Sequence, residues 1–369
     1  MTLKHKTITK IISKSISNQI ITIEDALPLT ENINETIDEL CLSAASIRDT
    51  GKGNTITFSP KVFIPLTHLC RDYCGYCTFR KDPEDINNLY MSPEEILKVV
   101  KSGEKLGCTE ALFTLGERPE LRFEEAQKWL TERGYKTTLE YLNAMCKVVI
   151  ENSDLLPHAN PGTMSKNELR EIKKYNASAG LMLESTSPLL YQKGGPHEFA
   201  PSKRPIVRIK TMKNAGELNI PFTTGLLIGI GETLKDRIES LIEIRDIQNM
   251  YGNIQEVIIQ NFRSKPNTPM SNIKDAETMD MLWTISVARL ILGPDMNIQA
   301  PPNLSSDNFE VYLDAGINDW GGVSPLTIDF VNPEAPWPTL KSLKSKTELK
   351  GFNLKPRLPV YPEYFINTN

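Results

Sequence analysis

Residues 62–80 read VFIPLTHLCRDYCGYCTFR, a short apolar run followed at once by three cysteines spaced C-x₃-C-x₂-C. The run Val62–Leu66 predicts a buried strand, because it is brief, apolar and bounded by polar residues. Cys70, Cys74 and Cys77 fall directly after it. Cysteines clustered in this way, in a chain without a secretion signal, indicate metal or redox chemistry rather than disulfides.

Three thiolates suit an iron–sulfur cluster in which one iron stays open. Four thiolates normally hold a four-iron cubane, so three leave a free coordination position, as catalytic metal sites do. Gly75 lets the short loop fold tightly around the sulfurs. Two alternatives are a structural zinc site completed by His68, His158 or Cys108, and an electron-transfer cluster with a distant fourth cysteine. The remaining cysteines lie in apolar helical surroundings and are expected to be small buried side chains: Cys41, Cys108 and Cys146.

Outward from this motif, short apolar runs alternate with longer runs of helical periodicity, which predicts parallel βαβ units. The predicted strands are Val62–Leu66, Ala111–Leu115, Val148–Ile150, Gly180–Leu183, Phe222–Ile228, Glu256–Asn261, Asn297–Ala300 and Ile317–Val323. The predicted helices are Met91–Leu106, Glu124–Glu132, Thr138–Lys147, Ser165–Tyr175, Arg204–Leu218, Lys235–Met250, Ala276–Leu292 and Ser306–Ala315. Eight such units predict an α/β fold of the (β/α)₈ TIM type, with a partial barrel of six units as the alternative.

The ends of the chain differ from its centre in composition. Residues 1–58 predict a helical extension, residues 59–332 the barrel, and the proline-rich residues 333–369 an extended tail packed on the barrel. Lys plus Arg is 42 and Asp plus Glu is 46, which gives a formal charge of −4 and no basic footprint for nucleic acid. The sequence shows neither a signal peptide nor an apolar stretch of membrane-spanning length, so we expect no membrane association and a cytoplasmic protein.

With Tyr76 before its last cysteine, the motif resembles the signature of the radical S-adenosylmethionine (SAM) superfamily. The resemblance implies a [4Fe–4S] cluster on Cys70, Cys74 and Cys77, SAM on the open iron, and a 5′-deoxyadenosyl radical that abstracts a hydrogen atom. Leu115 stands where the family has the first glycine of a Gly-Gly-Glu turn, and Leu227 where isoleucine is usual. The implied SAM contacts are Tyr76, Gly116, Glu117, Glu184, Arg208, Gly225 and Gly229. For Glu184 the alternative is a plain strand-end carboxylate, for Arg208 a surface helix residue, and for the last two glycines barrel packing alone.

Several longer stretches are similar to one family, the CofG-type subunits of 7,8-didemethyl-8-hydroxy-5-deazariboflavin (FO) synthase. This resemblance implies that a CofH-type partner supplies an adduct of tyrosine and 5-amino-6-ribitylaminouracil, that an external donor supplies electrons, and that a radical SAM lyase reaction cyclises the adduct to FO with loss of ammonia, in coenzyme F420 biosynthesis. The alternative is a CofH-like or menaquinone-pathway radical SAM enzyme. The stretches are FIPLTHLCRDYCGYCTFRK (63–81), TLGERPE (114–120), LLPHANPGTMS (155–165), LMLESTSPLL (181–190), PFTTGLLIGIGET (221–233), IIQNFRSKPNTPM (258–270), APPNL (300–304) and INDWGGVSPLTIDFVNPEAPWP (317–338).

Such an adduct needs hydrogen-bonding side chains at the strand ends, since an unpaired buried polar group costs about 1–3 kcal/mol. His158 and Asp319 are the expected bases, with a braced turn and a structural hydrogen bond as their respective alternatives. His197 lies on a predicted loop, where surface exposure is expected rather than a role in a lid. The expected substrate contacts are Asn160, Gln260, Asn261, Arg263 and Asn318.

Overall fold

Eight parallel strands close into a barrel, because the first strand pairs with both the second and the eighth. The computed structural model describes residues 3–17, 19–305 and 307–368. A ninth strand joins the outside of the barrel beside the first strand. The strands are β1 (Thr55–Thr67), β2 (Glu110–Leu115), β3 (Leu156–Asn160), β4 (Ser178–Gly180), β5 (Phe222–Ile228), β6 (Ile254–Asn261), β7 (Ile298–Gln299), β8 (Asp319–Val323) and β9 (Asn353–Pro356).

Helices cover the outside of the barrel, and several of them begin at a serine or threonine that caps the helix. Ser92, Ser165 and Thr233 each accept a hydrogen bond from the third helical residue in a capping box, which satisfies otherwise unpaired amides. The helices are α1 (Leu3–Ile16), α2 (Ile23–Ala26), α3 (Ile33–Lys52), α4 (Pro93–Lys105), α5 (Glu124–Glu132), α6 (Thr138–Asn152), α7 (Lys166–Ile172), α8 (Pro205–Glu217), α9 (Leu234–Tyr251), α10 (Thr278–Leu292) and α11 (Leu340–Leu349). No helix in the described ranges is long and apolar enough to cross a membrane.

Both ends of the chain are anchored on the barrel. The amino-terminal helices pack against α10, where the indole N–H of Trp283 donates to the Leu29 carbonyl at 2.8 Å. At the other end, β9 pairs with the beginning of β1. The following residues cross the amino-terminal ends of the strands, and Ser178 and Gln255 both donate to the Pro359 carbonyl. The tail therefore closes one end of the barrel.

The barrel, the eight-strand order and the fifth strand at Phe222–Ile228 confirm the prediction. The predicted strand Val148–Ile150 is wrong, because these residues continue α6 and the third strand begins at Leu156. The predicted helix Ser306–Ala315 is a short 3₁₀ turn over Phe309–Leu313, and Ser306 itself lies outside the described residues. The tail is also more regular than expected, since it contains α11 and β9.

Candidate functional site

The cysteine loop follows β1 and is held at several points by backbone hydrogen bonds. Arg71 donates to the Glu117 carbonyl at 2.7 Å and Tyr73 to the Phe199 carbonyl at 2.9 Å. Gly75 donates to the Pro196 carbonyl at 2.8 Å. The loop is therefore positioned by the segments after β2 and β4 before any cofactor binds.

Gly116 lets the end of β2 approach the first cysteine. A side chain there would place its Cβ 1.9 Å from the Leu69 carbonyl oxygen and 2.6 Å from the Cys70 Cβ. This close approach allows the Glu117 amide to donate to Cys70 Sγ at 3.1 Å. An amide N–H that donates to a cysteine sulfur stabilises the thiolate, as hydrogen bonds to the ligand sulfurs do around iron–sulfur clusters.

The three clustered cysteines are partly accessible, whereas Cys41, Cys108 and Cys146 are buried as expected. Within the cysteine loop, Cys74 and Cys77 border a cavity of about 710 Å³, which lies between the segments that follow β1, β4, β5 and β6. Among the residues that the structure describes, no group of three His, Cys, Asp or Glu is arranged around a single metal ion. A cubane needs a different geometry, because each thiolate binds a separate iron.

Burial raises the pKa of the Cys70 thiol to about 12, although the Glu117 amide acts in the opposite direction. Binding of iron therefore has to displace protons from this loop.

Next to the loop lies a buried guanidinium, two of whose three nitrogens find no hydrogen-bond acceptor among the described residues. Arg208, on α8, is 4% exposed, and neither its Nε nor its Nη1 has a hydrogen-bond acceptor. An uncompensated buried guanidinium is costly, and its planar fork fits a carboxylate. The burial of Arg208 excludes the alternative of a surface helix residue, and its free donors fit the carboxylate of an amino-acid ligand such as SAM.

Three further side chains lie near the cysteine loop and Arg208: Tyr76, Glu184 and His197. The Tyr76 hydroxyl lies 2.9 Å from His197 Nε2, and the carboxylate of Glu184 pairs with Lys203. His197 is 3% exposed, which contradicts its expected surface position. Burial, together with Lys203 and Arg208, lowers the pKa of His197 to about 2, so the imidazole is neutral.

The two glycines predicted on the fifth strand have different surroundings. A Cβ at Gly225 would lie 2.1 Å from the Ile258 carbonyl oxygen, so this glycine allows β5 and β6 to pack closely. Gly229 has a φ of +90°, a conformation that favours glycine. Its amide donates to Glu232 at 2.8 Å, and Glu232 pairs with Arg237 at 2.8 Å. These contacts shape the turn after β5.

A second, smaller cavity of about 100 Å³ lies inside the barrel. Asn160 at the end of β3 borders this cavity and is half-buried. Gln260 on β6 is two residues beyond Ile258, another residue of the cavity wall, so it belongs to the same inward row and is also half-buried. Both side chains therefore lie at the inner wall of the barrel, and their contact with substrate stays a prediction.

Of the two expected bases, His158 also lines this inner cavity, whereas Asp319 is the first residue of β8 and lies at the amino-terminal side of the barrel. Asp319 pairs with Arg357, with Nε and Oδ2 2.6 Å apart, and also accepts from Thr57. His158 shares a 2.6 Å hydrogen bond between its Nδ1 and the hydroxyl of Ser178. Burial lowers the pKa of His158 to about 4. These contacts favour a structural role for both residues, but His158 connects β3 to β4 and does not brace a turn, as its alternative had it.

Three of the predicted substrate contacts face other parts of the protein. Asn318 Oδ1 accepts from Arg289 at 2.8 Å and from the Ile298 amide at 2.9 Å, so it joins elements. Asn261 and Arg263 both donate to the Leu304 carbonyl, at 3.2 and 3.4 Å. They border a separate polar pocket outside the central cavity.

The sequence-based prediction missed three charged residues of these sites: Lys61, Lys203 and Arg357. Lys203 pairs with Glu184, and Lys61 lines the inner cavity. Arg357 pairs with Asp319 at the amino-terminal end of the barrel, and this end is called the barrel floor below. Lys61 carried a usable signal, since it stands inside a strand whose neighbours are apolar. The other two lie on segments without periodicity.

Comparisons with known proteins agree with this geometry. The family model described as the radical SAM superfamily matches residues 64–244. A 7,8-didemethyl-8-hydroxy-5-deazariboflavin synthase of Methanopyrus kandleri is 53% identical over 309 residues, which are 84% of this chain and 92% of the relative. FO synthases of Mycobacterium leprae and Mycobacterium tuberculosis are 47% and 49% identical over 96% and 92% of the chain. The chain spans only 43% and 42% of the length of those two proteins.

Solved structures show the same fold at low sequence identity. Methylornithine synthase (PylB) matches with a TM-score of 0.71 at 21% identity, over 94% of this chain and 97% of that one. The hydrogenase maturase HydG of Carboxydothermus hydrogenoformans matches with a TM-score of 0.75 at 20% identity, over 95% and 80%. At such identities the likeness concerns the fold alone.

Proposed function

The chain belongs to the 7,8-didemethyl-8-hydroxy-5-deazariboflavin synthase family of the radical SAM superfamily, and from this membership we propose that it carries out the cyclisation that forms FO. The substrate would be 5-amino-5-(4-hydroxybenzyl)-6-(D-ribitylimino)-5,6-dihydrouracil, the adduct described above. The product would be FO, with release of ammonia, in the biosynthesis of coenzyme F420. The observation that carries the proposal is the partly accessible, pre-positioned cysteine loop beside Arg208, whose Nε and Nη1 have no acceptor among the described residues.

Members of this superfamily use a [4Fe–4S] cluster and SAM, and the described residues fit both. Cys70, Cys74 and Cys77 would hold three irons, and the Glu117 amide would stabilise the first thiolate. The free nitrogens of Arg208 would bind the SAM carboxylate. When bound, the cluster and SAM together supply a 5′-deoxyadenosyl radical that abstracts a hydrogen atom from the adduct.

The barrel would bind the adduct and exclude water from it. Asn160 and Gln260, half-buried on the inner wall, would hold its polar groups. The floor formed by Arg357 and Asp319 seals the far end, so competing hydrogen donors from solvent are kept away from a reactive radical. The reaction would be a lyase reaction, because a carbon–nitrogen bond of the adduct breaks when ammonia leaves.

We also propose that a CofH-type partner supplies the adduct and that an external donor supplies the electron. This chain matches less than half the length of the longer FO synthases. The remainder of those proteins is long enough for a second unit, which supports a partner of this kind.

The test is an anaerobic assay with reconstituted cluster, dithionite, SAM and the adduct. We expect methionine, 5′-deoxyadenosine and FO, with all three products lost in Cys74→Ala. The matched control is Cys146→Ala, because Cys146 is buried on α6 away from the cysteine loop and its loss leaves the cluster ligands in place. SAM cleavage without FO would refute the substrate, and a full cluster without SAM cleavage would refute the reaction class.

A further inference from the structure

The interior of the barrel contains a lysine that forms no ion pair with any residue the structure describes. Lys61, in the middle of β1, is 7% exposed and lines the inner cavity. Within the described part of the chain, no carboxylate lies at ion-pair distance from its Nζ, and no hydrogen-bond acceptor contacts it. Lys265, which is also buried, differs because it donates to the Val331 carbonyl at 2.6 Å and lies 4.0 Å from Glu334.

The side chain of Lys61 passes over Gly322 of β8, which has no side chain. A Cβ on Gly322 would lie 2.3 Å from Lys61 Cδ and 2.6 Å from its Nζ, so the side chain crosses β8 where there is no side chain to block it. The ammonium then lies 5.4 Å from the ring centre of Phe63 and 4.8 Å from that of Trp337. Phe63 is nearer the carboxyl end of β1, and Trp337 belongs to the segment that follows β8. The ammonium is therefore directed toward the end of the barrel that carries the cysteines.

Trp337 adds a second donor without a partner. Its Nε1 is buried, and no acceptor in residues 3–17, 19–305 or 307–368 contacts it. An ammonium and an indole N–H can only donate, so two adjacent unpaired donors call for a ligand that presents acceptors. Leaving such groups unpaired in a folded interior is costly, which favours a ligand that satisfies them.

We propose that Lys61 and Trp337 bind the carbonyl edge of the pyrimidinedione ring of the substrate. This inference rests on the proposed function, because it assigns a contact to the adduct. The ring presents two carbonyl oxygens, which only accept hydrogen bonds, whereas the phenol presents one oxygen that also donates. Burial of the lysine lowers its pKa, and the carboxylates of Glu110, Asp329 and Glu256 act from a distance in the opposite direction. In both protonation states the nitrogen remains a donor.

The test compares Lys61→Met, Lys61→Arg and Trp337→Phe with the wild-type enzyme. Methionine keeps most of the apolar stem, and phenylalanine keeps a ring face while removing the N–H. We expect the KM for the adduct to rise roughly 10- to 100-fold in Lys61→Met and roughly two- to tenfold in Trp337→Phe, with partial recovery in Lys61→Arg. Lys355→Met is the matched control, because Lys355 is exposed on β9, and it should leave the KM unchanged.

A competitive probe identifies which part of the substrate is bound. 6,7-Dimethyl-8-ribityllumazine carries the pyrimidinedione and the ribityl chain but no phenol. Its inhibition constant should rise in Lys61→Met by the same factor as the KM for the adduct. An inhibition constant that stays at the wild-type value while the KM rises would overturn the assignment to the carbonyl edge.

Thermal unfolding separates binding from a structural role. Removing an unpaired buried donor should raise or preserve the melting temperature of Lys61→Met, whereas a lysine that holds the fold would lower it on removal. A lower melting temperature with an unchanged KM would overturn the inference. If the wild-type enzyme cleaves SAM but forms no FO, the proposed function fails instead, and lumazine binding by direct titration still tests the Lys61 contact.

Discussion

Replacing Arg357 by methionine should destabilise the protein strongly, because this side chain neutralises two buried carboxylates. Its Nε lies 2.6 Å from Asp319 Oδ2, and its Nη2 lies 2.6 Å from Glu256 Oε1. All three side chains are at most 7% exposed. Removing one partner of a buried ion pair costs about 3–5 kcal/mol, since the charge left behind has neither water nor counter-ion.

This cost translates into a measurable shift of the melting temperature. For one-step unfolding, an entropy of about 2.1 cal/mol/K per residue over 369 residues gives about 1.3 °C for each kcal/mol. We therefore expect Arg357→Met to melt about 4–6 °C below the wild-type protein in calorimetry. Lys355→Met, two residues earlier and exposed, should melt within about 1 °C of it.

A second variant tests the physical reason. Adding Glu256→Gln to Arg357→Met removes one of the two stranded charges, so the double variant should recover part of the lost stability. A melting temperature of Arg357→Met within about 1 °C of the wild-type value would refute the reasoning, because it would mean that water or a neighbouring group compensates the carboxylates. No recovery in the double variant would refute the electrostatic origin of the loss.

Three further perturbations follow from individual contacts. Arg208→Gln should raise the dissociation constant for SAM roughly 10- to 100-fold in equilibrium dialysis, because a charge-assisted contact is lost; an unchanged constant would exclude that contact. Gly116→Ala should lower the iron and sulfide content after reconstitution, because its Cβ would lie 1.9 Å from the Leu69 carbonyl oxygen, while Gly107→Asn, with open space around it, should not. Burial raises the pKa of Glu256 from its ordinary 4.5 to about 7, so the folded state holds this proton more tightly and loses stability as the pH rises through that range. Glu256→Gln should therefore show a flatter loss of stability between pH 5 and 8 in urea titrations, and the wild-type slope in this variant would exclude Glu256 as its source.

The barrel was predictable because its signals are local. Capping residues such as Ser92 and the apolar run Phe222–Ile228 act through their own neighbours along the chain, and both lie where they were expected. The cysteine loop was predictable for the same reason. The strand at Val148–Ile150 was predicted wrongly, because three β-branched or apolar residues at the end of a helix have no periodicity that distinguishes them from a strand.

The polar residues of the interior could not be ranked from the sequence. Asp319 and Asn318 are adjacent, and both looked available at a strand end, yet long-range partners occupy them: Arg357 and Arg289. Those partners lie 38 and 29 residues away along the chain. Whether a polar side chain is free for a ligand depends on such contacts, which only the folded chain reveals.

The same long-range contacts explain why Lys61 lacks a counter-ion. Arg357 occupies Asp319 and Glu256, and the carboxylate of Glu110 accepts from Ser59. The acidic groups of the floor thus pair with Arg357 of the tail. The N–H groups of Lys61 therefore stay available to a ligand. It follows that Arg357→Met should also weaken binding of the adduct, since a freed carboxylate competes with the ligand for Lys61. Stability of the floor and occupancy of the cavity are therefore linked through the distribution of a few buried charges.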